Sequence, residues 1–236
     1  DIERIIAIHS PDEILIKITA HNRGPEPASL HLLPTLWFRN EWTWGRFGER
    51  TPPRLRATAE DGRGSVLTIA ATHDRVGEYL LSCAGTPRLL FTENETNVQR
   101  VFGVANRTPY VKDSFDNYVV HGQTGAVNPE RKGTKAAAHY QLVVPAGDSV
   151  SVRVRFAREG APALDMDEVI ATRRQEADEY YETVIPATLS DDGRAVMRQS
   201  LAGMLWSKQF YHYVVKDWLE GDSRQPPPPA ERVHGR

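Results

Sequence analysis

The stretch LPTLWFRNEWTWG, residues 33–45, gathers side chains of the kind that recognise flat, hydroxylated molecules. It holds three of the five tryptophans beside a cation and an amide, namely Trp37, Arg39, Asn40, Trp42 and Trp44. Sugar rings have apolar C–H faces that lie against an indole, and hydroxyls that hydrogen-bond to Arg and Asn. A buried tryptophan also requires a polar partner, so a hydrophobic corner would have the same composition. These residue types alone leave sugar contact and structural packing open.

A second stretch, PYVKDSFDNYVVHG at residues 109–122, mixes aromatic, acidic and amide side chains in the same way. It lies in a polar, Gly- and Asn-rich segment that runs from Asn94 to Lys135. A long irregular segment in a compact domain is usually functional or disordered. The aromatic residues in this one predict an ordered, packed loop.

Acid–base chemistry needs carboxylates that are paired in space, as on the two sides of a glycosidic bond. The sequence offers three neighbouring pairs: Glu93 and Glu95, Asp113 and Asp116, Asp191 and Asp192. Proximity in sequence does not place two carboxylates in one site, and the last pair fits the first turn of a helix better. We therefore expect none of these pairs to be catalytic.

The sequence contains no other recognisable catalytic, cofactor-binding or metal-binding motif. It contains no nucleophile elbow, P-loop or dinucleotide fingerprint. The histidines are scattered and form no metal-binding pair, and the single cysteine, Cys83, excludes an internal disulfide and a Cys-based metal cluster. We expect neither a cofactor nor a metal.

Composition limits the classes of partner. The 236 residues carry 29 Lys and Arg against 31 Asp and Glu, a net charge of −2, which argues against a nucleic-acid binder. No apolar run is long enough to span a bilayer. With one cysteine and no signal peptide, these features favour a cytoplasmic protein without a membrane partner.

Hydrophobic patterning predicts strands as far as Phe156. Alternation and turn residues delimit EILIKITA, SLHLLPTLWF, SVLTIAATH, EYLLSCA, PRLLFTEN, AAAHYQLVVP and DSVSVRVRFA. Pro34 inside the second of these predicts a sheet edge or a bulge. The last two strands are predicted to pair through the turn PAGD. Many short strands with turn-rich connections indicate an antiparallel sandwich.

After Ala161 the pattern becomes helical. One helix is predicted to begin at Asp165 or Asp167 and to end at Pro186; a second, long helix begins at Ser190 or Asp191 and stops near Gly221. The long helix is aromatic on more than one side and needs partners on several faces. We therefore expect further helices after Arg236, and a chain that is a fragment of a longer protein.

Several long strings resemble bacterial proteins of glycoside hydrolase family 63, the group related to processing α-glucosidases. They are LHLLPTLWFRNEWTWG, LLFTENETN, PYVKDSFDNYVVHG, AVNPERKGTKAAAHY and SLAGMLWSKQFYHYVVKDWLEGD, and together they cover essentially the whole chain. The resemblance implies a mainly β protein: an antiparallel β super-sandwich, then a helical linker and an (α/α)6 barrel. Residues 1–160 would be the later part of the sandwich, 161–189 the linker, and 190–236 the first barrel helix and the following loop.

The resemblance also implies an activity, inverting hydrolysis of α-glucosides or related oligosaccharides. The catalytic acid and base of the family would lie beyond Arg236, so no residue here is assigned to catalysis and this chain alone is expected to be inactive. Its partners would be the oligosaccharide and the remaining barrel helices. The alternative is a non-catalytic carbohydrate-binding or structural β-sandwich module. Candidate substrate-binding residues are Arg39, Asn40, Trp42, Trp44, Lys208 and Gln209.

Overall fold

A computed structural model describes residues 1–43, 51–58, 66–208, 213–224 and 226–234. These residues form two compact units, 1–162 with 221–229 and 163–220 with 230–236. The first unit contains the described strands, which are β1 Ile2–Ser10, β2 Glu13–His21, β3 Ala28–Leu32, β4 Thr35–Trp37, β5 Arg54–Ala57, β6 Val66–His73, β7 Gly77–Ala84, β8 Arg88–Thr92, β9 Lys132–Gly133, β10 Lys135–Val144 and β11 Ser149–Arg158. The predicted mainly β fold with antiparallel sheets is confirmed.

Seven strands form the larger sheet, in the order β1-β2-β11-β7-β6-β5-β9. Every neighbouring pair is antiparallel. The last strand of the sequence, β11, lies inside this sheet, with Val152 opposite Ile18 of β2 and Phe156 opposite Leu81 of β7. The sheet is therefore complete only when the end of the β region has joined it.

The smaller sheet is built around β10, with β8 on one edge and β3 and β4 on the other. Leu32 faces Tyr140 and Thr35 faces Ala137, so β3 and β4 share one register and are interrupted at Leu33 and Pro34. The Ala138 amide donates to the Pro34 carbonyl at 3.0 Å, but proline has no N–H to return the bond. Pro34 thus lies on a sheet edge, as predicted, without the register shift of a bulge.

The predicted pairing of the last two strands is wrong. β10 pairs with β3, β4 and β8, whereas β11 pairs with β2 and β7 of the other sheet. The turn at residues 145–148 is tight, since the Asp148 amide donates to the Pro145 carbonyl at 3.2 Å. It carries the chain from one sheet to the other, because both strands have apolar inner faces that are buried between the sheets.

The two sheets pack face to face over one hydrophobic core. The larger sheet contributes residues such as Leu55, Ile69 and Val154, and the smaller one contributes Phe91 and Ala136. Each of these side chains is at most 1% exposed. The full super-sandwich implied by the resemblance stays a prediction.

Gly133 marks the place where the chain passes between the sheets. It pairs with Leu55 in the larger sheet, and two residues later Lys135 begins β10 in the smaller one. A Cβ atom at this position would lie 2.3 Å from the carbonyl oxygen of Thr92. Only glycine permits this approach of two backbones.

The predicted ordered loop covers the outer face of the smaller sheet. It contains the helices α1 Val98–Phe102 and α2 Ser114–Val119 and a 3₁₀ turn at Thr124–Ala126. Phe115, Tyr118 and Val127 pack with Leu90 and Ala137 in a second, smaller core. The expectation of an ordered, packed segment is confirmed, although Phe102 is exposed.

The second unit is helical, with α3 at Met166–Val184, α4 at Asp191–Ser207 and α5 at Val215–Glu220. The Asp165 carboxylate accepts hydrogen bonds from the amides of Asp167 and Glu168, and the Ser190 hydroxyl accepts one from the Gly193 amide. These caps agree with the predicted helix starts.

The prediction of one long helix from Ser190 to Gly221 is wrong. Helix α4 ends at Ser207, and Lys208, Tyr213 and Val214 are not helical. Tyr213 and Val214, directly before α5, are aromatic and β-branched and lose side-chain freedom in a helix, which weakens helix formation there. The (α/α)6 barrel implied by the resemblance stays a prediction, as do the domain limits.

Candidate functional site

The loops at one end of the smaller sheet meet in a polar group of residues. Here Trp37 of β4 and Thr92 of β8 both lie opposite Lys135 at the start of β10. We call the residues that follow or precede these strand ends the loop cluster: 37–43, 93–97, 112–113 and 134–135. Four of the strings that carry the family resemblance supply residues to it: LHLLPTLWFRNEWTWG, LLFTENETN, PYVKDSFDNYVVHG and AVNPERKGTKAAAHY.

Asn40 ties two of these loops together. Its Nδ2 donates to the Asn94 carbonyl at 2.8 Å, and its Oδ1 accepts from the Thr43 amide at 3.2 Å and the Thr43 hydroxyl at 2.9 Å. In return, the Asn94 side chain donates to the Phe38 carbonyl at 2.9 Å. The amide of Asn40 is thus engaged in holding the loops in place.

Trp42 is buried in the loop cluster, with 7% of its surface exposed. Its indole Nε1 donates to Glu95 Oε1 at 3.2 Å, and Arg107 lies 3.7 Å from the same oxygen. This is the polar partner that a buried tryptophan requires. The position and partner of Trp42 fit the packing interpretation better than sugar contact.

Trp37 is the exposed tryptophan of the described part of this stretch, at 55%. Its neighbour Leu36 packs into the core between the sheets, so alternation along β4 directs Trp37 to the outer face. Trp37 is not among the residues that the sequence predicts to bind substrate. The signal that would have found it is this alternation, with Leu36 apolar and inward beside an aromatic residue that must point outward.

Lys135 provides a fixed cation opposite Trp37. Its Nζ donates to the Lys112 carbonyl at 2.7 Å and lies 4.7 Å from the centre of the Phe115 ring. Burial lowers the pKa of Lys135, as does the neighbouring Lys112 charge, while Asp113 acts in the opposite direction. The result is an ammonium group held in place by protein contacts, on the residue that pairs with the exposed Trp37.

The carboxylates of the loop cluster have separate partners. Glu93 accepts a hydrogen bond from the Thr134 hydroxyl at 2.6 Å, and Asp113 accepts from Asn97 and forms an ion pair with Arg100 at 3.1 Å. Asp116 lies near His121. Neither of the two neighbouring pairs in this region has a partner in common. That these carboxylates are not catalytic stays a prediction.

The remaining candidate residues are Arg39, Trp44, Lys208 and Gln209. Arg39 is exposed within the loop cluster, and Lys208 is exposed directly after α4 in the other unit. Trp44 and Gln209 lie outside the described residues. Among residues 1–43, 51–58, 66–208, 213–224 and 226–234, no group of three metal-ligating side chains occurs, and no described helix is long and apolar enough to cross a membrane.

Comparison with known proteins finds a curated relative and several similar solved structures. No family model matches the sequence. The uncharacterized protein YMR196W of Saccharomyces cerevisiae is 34% identical over 264 aligned positions, which cover 96% of this chain. They cover 24% of the yeast protein, so the chain spans about a quarter of the length of this relative.

Two of the similar solved structures are named as carbohydrate-processing enzymes. A polysaccharide lyase shares 14% identity at a TM-score of 0.36, covering 69% of this chain and 20% of the lyase. A human-microbiome protein, described as a kojibiose phosphorylase, shares 9% identity at a TM-score of 0.28, covering 88% of this chain and 21% of its own. At these TM-scores the two likenesses carry no structural argument for this chain.

Proposed function

We propose that this chain is part of a carbohydrate-active enzyme and that the loop cluster is its saccharide-contacting surface. The observation that carries the proposal is the exposed indole of Trp37 on the residue that pairs across strands with Lys135, whose ammonium group is held in place. An indole presents a flat apolar surface to the C–H face of a sugar ring, and an ammonium group donates to its hydroxyls. The exposed Arg39 lies two residues further along the same loop.

The activity that we propose for the whole protein is inverting hydrolysis of α-glucosides or related oligosaccharides. The family resemblance supports it, and four of the five strings that carry the resemblance supply residues to the loop cluster. The resemblance implies that the catalytic acid and base lie outside this chain. Within the loop cluster, the carboxylates of Glu93, Glu95 and Asp113 have separate structural partners. Trp44, Lys208 and Gln209 remain proposed sugar contacts, and further helices of the same protein remain proposed partners.

A purely structural module is the second candidate, and a specific observation favours it. Trp42 is buried against Glu95, and Asn40 is engaged with backbone groups of its own loops. Two of the side chains that suggested sugar binding, Trp42 and Asn40, therefore make structural contacts within the loop cluster. Trp37 distinguishes the two candidates, because an exposed indole contributes little to packing.

The test compares two tryptophan variants in the protein that contains this chain. We expect Trp37→Ala to weaken oligosaccharide binding about ten-fold, equivalent to about 1.4 kcal/mol, with little change in melting temperature. The matched variant Trp42→Ala removes a buried ring, and we expect it to cost about 3–5 kcal/mol of stability. Binding is measured by calorimetric titration with maltotriose, and stability by denaturant unfolding.

Normal binding and turnover in Trp37→Ala would contradict the proposal and favour the structural module. So would loss of binding in both variants in proportion to their loss of stability, because that result reflects unfolding and not contact.

A further inference from the structure

Two clefts adjoin in the first unit, at the start of β8, away from the loop cluster. One has a volume of about 560 Å³ and lies among Gly85–Arg88, Tyr140–Leu142 and Val150–Arg153. The other, of about 510 Å³, is lined by Tyr110, Asn128 and Arg131, among others. Pro87 and Arg88 line both clefts. Each is in the size range of small-molecule binding sites.

The first cleft opens where two strand ladders stop. Strand β8 begins with Arg88 opposite His139, so β10 continues beyond His139 without that neighbour. The Ala138 amide points toward Pro34 on the opposite edge, and alternation therefore turns the N–H and C=O of Gln141 toward the cleft side. Backbone donors and acceptors at a sheet edge are available to a ligand.

Strand β11, on the other side of the cleft, also has an unpaired edge among the described residues. Its pairing with β7 begins only at Val154, opposite Cys83. The Arg158 amide donates to Asp12, on the β2 side, so the odd-numbered residues Ser151 and Arg153 direct their backbone groups to the β7 side. Both walls of the first cleft therefore present polar backbone edges.

The charge of the two clefts has one sign. Arg88 and Arg153 line the first, and Arg88 and Arg131 line the second. Among the described residues, no Asp or Glu lines either cleft, although the whole chain carries more acidic than basic residues. A concave surface with cations and no carboxylates attracts anions.

Buried aromatic contacts hold one wall of the first cleft. His139 is 4% exposed, its Nε2 lies 2.8 Å from Nδ1 of His31, and the Tyr118 ring packs edge-on against it. The Arg88 guanidinium lies 5.4 Å from the centre of the same Tyr118 ring. The cation shared by the two clefts is thus placed on a packed support before any ligand arrives.

We propose that these two clefts bind an acidic oligosaccharide, with a carboxylate or sulfate of the ligand at Arg88 and one sugar unit on each side. The anionic character of the ligand follows from the cleft itself, and its saccharide character rests on the proposed function. Guanidinium groups bind carboxylates and sulfates in pairs of hydrogen bonds, and the strand edges accept and donate to sugar hydroxyls.

The experiment is a calorimetric titration of the protein that contains this chain with trigalacturonate, a linear sugar acid. Maltotriose, inorganic phosphate and a short oligothymidylate are titrated in parallel. We expect trigalacturonate to bind most tightly, and Arg88→Gln to weaken this binding at least ten-fold. A second variant, Arg131→Asn, suits the positive φ of 53° at this position and is expected to weaken it less.

The matched control is Arg75→Gln, an exposed arginine in the turn between β6 and β7. We expect it to bind trigalacturonate as the wild type does, and all three variants to keep the wild-type melting temperature. Equal loss in Arg75→Gln, or an Arg88→Gln variant that binds normally, would overturn the site.

The other ligands separate the remaining outcomes. Phosphate that binds as tightly as trigalacturonate would overturn the saccharide part, and tighter binding of oligothymidylate would indicate a nucleic-acid site instead. Maltotriose binding that depends on Trp37, together with no trigalacturonate binding, would leave the proposed function standing and end this inference.

Discussion

Trp37 and Trp42 lie five residues apart and have opposite environments. The indole of Trp37 stands on the outer face of an edge strand, whereas that of Trp42 is buried and donates to Glu95. Amino-acid composition does not distinguish the two tryptophans, because it carries no information on where a side chain points. Alternation along β4 could have placed Trp37, but no sequence pattern identifies Glu95 as the partner of Trp42.

His139 provides a pH-dependent part of the stability. Burial, together with the charges of His31 and Arg88, lowers the pKa of His139 below its ordinary value of 6.5. The unfolded chain therefore takes up this proton at a higher pH than the folded chain. The contribution is complete above pH 6.5 and is lost as the pH falls through the range below it.

We expect the melting temperature of the wild type to fall more steeply between pH 7 and pH 5 than that of His139→Gln, which cannot titrate at this position. The measurement is thermal unfolding across this range. His121→Gln is the control, because the side chain of His121 is 57% exposed, and it should follow the wild type. Parallel curves for His139→Gln and the wild type would contradict the prediction.

At the scale of the elements, local sequence patterns predict where strands and helices begin better than they predict which strands pair with each other. The strands around EILIKITA and EYLLSCA follow from alternation, and the caps at Asp165 and Ser190 from short-range hydrogen bonding. The sequence of the turn at residues 145–148 is compatible with joining two strands of one sheet or strands of two different sheets. Distant strands decide between these two arrangements, so the sequence alone does not show that β10 and β11 belong to different sheets.

The approach of Gly133 to Thr92 was beyond prediction for the same reason. A glycine beside lysine residues is typical of a turn. The sequence does not show that another backbone passes so close that a Cβ atom at this position would lie 2.3 Å from it. The loop cluster depends on this crossing, because Thr134 and Lys135 follow directly after it.

Helix α3 depends on its first cap. Asp165 accepts hydrogen bonds from the amides of Asp167 and Glu168 at 2.9 and 3.2 Å. We expect Asp165→Ala to lower the free energy of unfolding by about 1 kcal/mol. Denaturant unfolding measures it. The matched change Glu182→Ala, an exposed acid in the last turn of the same helix, should be neutral or slightly stabilising, since it removes a negative charge near the helix C-terminus.

For the cap, equal effects of the two substitutions would show that the loss of a carboxylate, and not of the capping bonds, is what matters.

At the scale of the whole molecule, the core between the sheets keeps Cys83 from reacting. Its side chain is fully buried in β7, and burial raises the pKa of the thiol to about 12. Since the thiolate is the reactive form, we expect no labelling by a thiol reagent in native buffer at pH 8. Labelling should rise with denaturant together with the loss of tertiary circular dichroism.

An introduced surface cysteine, Ser29→Cys on the exposed start of β3, is the positive control and should react at once. Rapid labelling of Cys83 in the native protein, before any loss of circular dichroism, would mean that β7 opens locally and that the core is not one unit.

The place of β11 between β2 and β7 has a consequence for how the protein is made. A ribosome delivers residues 1–84 long before residues 149–158, so the hairpin of β1 and β2 and the strands β5 to β7 wait as separate pieces. Until β11 leaves the exit tunnel, the nascent chain presents two open strand edges that can pair with neighbouring polypeptides. We therefore expect the nascent chain to depend most on molecular chaperones during this interval, because they keep its open strand edges from pairing with other polypeptides.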